Sequence, residues 1–173
     1  MPELSPQERL QPALLDRLSD DEPTNQRPEP RERRIINAAR LRQAVLRDLA
    51  WLFNSTNLAS ADVLASYPHA EKSVINYGLP VLAGQTASQL DLTALESAMR
   101  QAIIDFEPRI VPSTLQVEAI ITGQALDHHN VVSVQIMGQL WNQPVPLELL
   151  LRTEVDLETG TVEIRDLGKS GRA

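Results

Sequence analysis

The spacing of hydrophobic positions along this chain changes once, from helical to strand-like. Between residues 31 and 54, Ile35, Ala38, Ala39, Val45, Leu46, Leu49, Leu52 and Phe53 recur at intervals of three, four and seven. That spacing lays one apolar stripe along a helix. Arg33, Arg40 and Arg47 recur every seven residues on another side, a face that is either solvated or a surface for an acidic partner. A second helical stripe runs through Leu95, Ala98, Met99, Ala102, Ile103 and Phe106. Asp91 and Thr93 are both N-cap residue types, and Thr93 with Glu96 makes a capping-box pattern. After Ile110 the period falls to two. Leu115, Val117, Ala119 and Ile121 alternate with Gln116, Glu118 and Thr122. Val132, Val134 and Ile136 alternate with Ser133, Gln135 and Met137. Leu147, Leu149, Leu151, Thr153 and Val155 alternate with Glu148, Arg152 and Glu154. Thr161 to Arg165 forms a short last strand behind Glu158-Thr159-Gly160. Alternation bounded by turn signals predicts an antiparallel sheet with one packed face. The predicted fold class is α+β, an antiparallel sheet of about four strands packed against two main helices, with an N-terminal helical arm.

The remaining segments read as connections. Leu10, Leu14, Leu15 and Leu18 fall at helical spacing, and Pro23, Pro28 and Pro30 mark a linker behind them. A short amphipathic helix on a tether cannot bury its apolar face alone. It either folds back on the body or docks a partner. Residues 58–92 are the least regular. Asp62 to Ala65 starts a short helix, Tyr67-Pro68-His69 breaks it, and Ser73 to Pro80 ends in a Gly/Pro turn. The expected organisation is an arm and linker over 1–30, one domain over 31–167 and a flexible tail over 168–173. The last strand has a neighbour on one side at most, so Val162 and Ile164 lie on an edge able to accept a strand from another chain.

Between the second helix and the strands stands Phe106-Glu107-Pro108-Arg109-Ile110. Pro108 cannot continue a helix and disfavours helical geometry at Glu107. An extended segment there would point Glu107 and Arg109 the same way, with Phe106 and Ile110 as anchors. A carboxylate just past a helix C-terminus opposes the helix dipole, and Arg109 is the nearest compensation. The spacing fits a local ion pair closing the helix, or a donor and acceptor presented to a partner.

Composition narrows the function. The chain has 173 residues, no cysteine and a net charge of −7. Residues 1–54 balance nine acids with nine arginines, and the deficit lies in residues 55–173. An acidic body lacks the footprint for nucleic acid. Lys72 and Lys169 are the only lysines, and an arginine bias suits two-point contacts at interfaces. Two each of Phe, Trp and Tyr are few for stacking on bases or sugars. No apolar run approaches the roughly 20 residues of a membrane span, and no signal-peptide pattern leads the chain. A soluble cytoplasmic protein is expected.

Candidate chemistry is sparse. No phosphate loop, HExxH or GxSxG pattern occurs, and no cofactor is expected. His69 stands alone in a loop, and adjacent His128 and His129 point apart in a turn, so no metal site is expected. Glu107 with Asp105 or Glu118 could be proposed as a glycosidase pair, and the alternative reading of the chain is a peptidoglycan hydrolase with Glu107 as acid. An arginine two residues away favours the charged carboxylate, the wrong state for an acid.

Four stretches in order carry a resemblance: Arg9 to Leu18, Leu41 to Asn54, Ser73 to Pro80 with its Asn-Tyr-Gly, and Phe106 to Ile110. The set, spanning about residues 9–166, resembles the TssE family of type VI secretion baseplate subunits, similar to the wedge protein of contractile phage tails. The resemblance implies a non-enzymatic assembly protein in a baseplate wedge with TssF, TssG and TssK around the inner tube, at the cytoplasmic face of the inner membrane and not inserted in it. It implies that the Glu-Pro-Arg element, here Glu107, Pro108 and Arg109 beside Phe106, fixes the subunit to the wedge core. It further implies strand sharing with the sheath proteins TssB and TssC, so that the subunit starts sheath polymerisation. The lysozyme-like label that the family inherits finds no support in these residues.

Overall fold

The structure is a computed structural model and describes residues 13–18, 38–58, 64, 66–84, 90–120, 130–142 and 145–168. Helix α1 covers Leu14–Leu18 and α2 covers Ala38–Phe53. A one-turn helix α3, Pro68–Glu71, and a 3-10 turn, Val74–Asn76, lead to α4, Leu92–Phe106. Four strands follow: β1 Gln116–Ile120, β2 Val131–Leu140, β3 Leu147–Asp156 and β4 Val162–Asp166. They form one antiparallel sheet in the order β1-β2-β3-β4, and the fold is α+β.

The register explains the core. Val117 stands opposite Ile136, and Ile136 opposite Leu151. Val132 stands opposite Val155, and Val155 opposite Val162. These side chains share one face, as period two requires. Leu41, Val45, Leu49 and Leu52 of α2 and Leu95, Met99 and Ile103 of α4 join the same buried cluster. Each fully buried side chain of this size contributes roughly 1.5–3 kcal/mol, so this one layer dominates stability. Thr153 is the exception on that face; it is fully buried and its hydroxyl donates to the Val134 carbonyl at 3.1 Å.

Some local expectations shift. Asp91, rather than Thr93, caps α4, its Oδ1 accepting from the Ala94 N–H at 3.0 Å. Glu96 makes no capping box. Its Oε1 accepts the Ala119 N–H of β1 at 2.7 Å, which satisfies a donor on the outer side of that strand. Pro68 opens a helix instead of only breaking one, because proline fits the first helical turn. Helix α1 folds back toward α2 through Asp16 and Arg47, 2.7 Å apart, while Leu14 and Leu18 stay exposed. Residues 1–12, the linker over 19–30, Ile35, the Asp62 start, Ile121, His128, His129 and the tail beyond 168 lie outside the described residues.

Candidate docking site

Helix α4 ends where its sequence requires. The Glu107 N–H donates the last helical bond, to the Ile103 carbonyl at 2.8 Å. Pro108 then takes the second position of a tight turn, closed by the Ile110 N–H and the Glu107 carbonyl at 3.2 Å. Proline's fixed φ suits that position. The extended geometry expected for this segment is therefore replaced by a turn, and Arg109 folds back over Glu107. Its Nε donates to Glu107 Oε1 at 2.6 Å and its Nη2 to Oε2 at 2.5 Å. The Arg109 N–H adds a bond to Oε1 at 3.2 Å. This is the two-point geometry in which a planar guanidinium holds a carboxylate. The sheet straps the turn from beneath: the Trp141 N–H donates to the Arg109 carbonyl at 2.7 Å, and the Val111 N–H to the Gln139 carbonyl at 2.8 Å. Ile110 is buried beside the strap.

A residue of α2 completes the site. Arg109 Nη2 also donates to Asp48 Oδ2 at 2.5 Å. Asp48 Oδ1 accepts from Arg47 Nε at 2.9 Å, and Arg47 reaches Asp16 on α1. Charges thus alternate in a row from Asp16 through Arg47, Asp48 and Arg109 to Glu107. Burial by itself lowers the Arg109 pKa, but the hydrogen bonds and charges of Glu107 and Asp48 outweigh it, so the guanidinium is held firmly protonated. The same opposition raises Arg47, where hydrogen bonds to Asp16 and Asp48 prevail. Tyr77 closes one side: its ring meets Phe106 edge-on at 5.2 Å, and its hydroxyl donates to the Asp48 carbonyl at 3.4 Å. Burial first, then the charges of Asp48 and Glu107, push the Tyr77 pKa up.

Phe106, Glu107, Pro108 and Arg109 therefore lie together, but unequally. Glu107 is 3% exposed, Phe106 and Arg109 are half-buried and Pro108 is exposed. With both oxygens of Glu107 held by Arg109, the carboxylate is an internal brace. Asp48 was not recognisable in the sequence; its partner is 61 positions away, and within α2 it resembles any polar residue of a solvated face. The one available signal was the unusual Arg47-Asp48 adjacency.

Val162 and Ile164 belong to a different place, the outer strand β4. The edge expected there is already occupied at one residue. The Val162 N–H donates to Asn54 Oδ1 and Asn54 Nδ2 donates to the Val162 carbonyl, both at 2.9 Å. Among the described residues no group of His, Asp and Glu is placed to hold a metal ion, and no helix is long and apolar enough to cross a membrane.

In a comparison with protein families, the model described as baseplate wedge protein gp25 matches residues 39–145, more than half of the chain. The matched stretch contains α2, α4, the Glu107–Ile110 turn, β1 and β2, and so Asp48, Glu107 and Arg109 together. Searches of curated proteins and of solved structures returned no match.

Proposed function

The chain belongs to the baseplate wedge protein gp25 family, and from that membership we propose that it is the TssE-type subunit of a type VI secretion baseplate. The family match supports a structural role in a phage-tail-like baseplate. In the finer reading, the subunit docks into a wedge with TssF, TssG and TssK at the cytoplasmic face of the inner membrane, around the inner tube. Its β4 edge, through Val162 and Ile164, receives a strand from the sheath proteins TssB and TssC and so starts sheath polymerisation. The domain over 31–167 carries both contacts, and the segment over 1–30 is an accessory arm.

The observation that carries the docking reading is the Arg109 clamp. A guanidinium fixed by Glu107 and Asp48 on a turn, next to exposed Pro108 and half-buried Phe106, is an ordered contact point with little side-chain freedom left to lose on binding. Glu107 serves by holding Arg109, and Pro108 with Arg109 faces the partner. A single alanine substitution would confuse docking with folding, because it strands a buried charge. The informative variant is Glu107→Leu with Arg109→Met, which replaces the pair by apolar groups of similar volume. The expected result is a folded chain that no longer co-purifies with the wedge proteins and supports no sheath assembly. Normal co-purification of this folded double variant would remove the clamp from the docking surface.

A further inference from the structure

The outer edge of β4 is engaged at Val162 by the residue that follows α2, and the Asp166 side chain at its other end is held by α2. The Asp156 N–H donates to the Thr161 carbonyl and the Leu167 N–H to the Leu150 carbonyl. Odd-numbered residues of this segment thus turn their backbone groups toward β3, and Val162, Ile164 and Asp166 turn theirs outward. At one end Asn54, just past α2, gives Val162 the reciprocal N–H and C=O pairing that a neighbouring strand residue would give. A third bond, from Asn54 Nδ2 to the Ala50 carbonyl at 2.8 Å, fixes the amide. At the other end Arg42 of α2 holds Asp166 through Nε and Nη2, at 2.7 and 2.5 Å. Its Nη1 donates to the Glu148 carbonyl on β3 at 2.8 Å. Between these clamps, no hydrogen bond from the described residues reaches the outward groups of Ile164. An open groove lined by Asn54, Thr56, Leu79, Gly160 and Thr161 continues the edge beyond Val162.

We propose that Asn54 is a displaceable plug on the β4 edge, and that an extended partner segment reading acidic–apolar–basic displaces it by lying antiparallel along Arg165, Ile164 and Glu163. The proposal rests on the reading that β4 accepts a strand and adds what gates it and what it selects. Ile164 faces the packed side, so an apolar residue opposite it extends the core face. Glu163 and Arg165 face solvent, with side chains 69% and 60% exposed, and opposite charges directly across an antiparallel pair are favourable. Arg165 lies 3.0 Å from Glu154 and 3.6 Å from Glu163; the nearer Glu154 takes most of its charge, so a basic residue opposite the more weakly paired Glu163 carries more of the selection. The Asn54 amide can release Val162 without unfolding the strand, since the ladder to β3 uses the other side of β4.

The test uses the full chain and two labelled peptides, Thr-Val-Asp-Val-Arg-Val-Thr and the charge-swapped Thr-Val-Arg-Val-Asp-Val-Thr, titrated by fluorescence anisotropy. Asn54→Ala is expected to bind the first peptide on the order of tenfold more tightly than wild type, the effect of removing one or two competing hydrogen bonds. Asn54→Asp, which keeps the acceptor and loses both donations, should also bind more tightly and serves if Asn54→Ala melts. Ile164→Pro should abolish binding in either background. It removes an outward N–H without touching the ladder, as edge strands tolerate. Equal binding by wild type and both Asn54 variants overturns the plug and leaves strand addition standing. No binding by any of the three, each shown folded by thermal melting, overturns strand addition at this edge as well. Equal affinity for the swapped peptide overturns the proposed sequence pattern. Self-association of wild type that Ile164→Pro cancels overturns the partner assignment, because a second copy then fills the edge.

Discussion

At the scale of single residues, a buried carboxylate decides how the Glu107–Arg109 pair behaves. Glu107 is 3% exposed and its side chain is matched by one guanidinium. Arg109→Ala leaves that charge inside the protein without its cation, and loss of one partner of a buried pair costs roughly 3–5 kcal/mol. Arg109→Lys keeps the charge but not the fork, and should recover only part of the loss. Glu107→Leu with Arg109→Met should fall within about 1.5 kcal/mol of wild type, since apolar replacement of both partners is near neutral or stabilising. Urea unfolding of the three variants checks the order. Tyr77 adds a pH dependence. Its folded pKa lies above the ordinary tyrosine value, so its contribution is complete below that value, about 10. It is lost as pH rises through the folded value. Stability should therefore fall in alkaline solution beyond about pH 10, and Tyr77→Phe should flatten that limb. Urea midpoints of both proteins between neutral and alkaline pH would show it, and superimposable curves would refute it.

At the scale of elements, side chains from the helices do much of the joining. Glu96 of α4 meets the outer N–H of Ala119 on β1, and Asn54, just past α2, meets Val162 on β4, so each sheet edge receives a partner from a helix or from the turn that follows one. The connection from α2 to the Tyr77 segment depends on a glycine. Gly78 has φ of +121°, and a Cβ there would stand 2.3 Å from the Ser55 carbonyl oxygen. The Leu79 N–H to that same oxygen, 2.8 Å, and the Asn57 N–H to the Leu79 carbonyl, 2.9 Å, leave the backbone no room to retreat. Gly78→Ala should cost more than about 2 kcal/mol, or about 4–8 °C in a melt for a chain of this size. Gly84→Ala is the control. Its φ is +85° with nothing within 4 Å of the added carbon, so it carries the conformational strain alone, about 1–2 kcal/mol. Equal melts would refute the steric account. Periodicity made the two helices and four strands legible, because each element's burial follows its own repeat. Pro108 likewise fixed the end of α4. The turn at Glu107–Ile110 was misread as extended because residue spacing does not tell a tight turn from a strand. Asp48, Asn54 and Glu96 were not readable, since their partners lie 61, 108 and 23 positions away.

At the scale of the whole molecule, the buried layer and the charged row make different demands on the arm. Every residue of the buried hydrophobic cluster lies between Leu41 and Val162. The leucines of α1 are exposed, Leu14 at 70% and Leu18 at 74%, so among the described residues α1 adds no side chain to that cluster. The Asp16–Arg47 pair ties α1 to α2 and closes the row of charges running to Arg109 and Glu107. A partly exposed ion pair of this kind contributes about 0–1 kcal/mol. Deleting residues 1–30 should therefore lower unfolding free energy by no more than about 1 kcal/mol. The dependence on urea should hardly change, because the slope follows the surface exposed on unfolding. The row makes a second, separable demand. Asp48 holds Arg47 and Arg109 together, so loss of Asp16 frees Arg47 to pair with Asp48 alone and leaves the Arg109 clamp in place. The shortened chain should then keep the destabilisation by Arg109→Ala at full size when the two changes are combined, as expected for sites without a shared partner. A loss of several kcal/mol on deletion alone would show that the arm belongs to the core. A deletion that halves the Arg109→Ala effect would show instead that the row acts as one coupled unit, with the arm reporting on the Glu107–Ile110 turn.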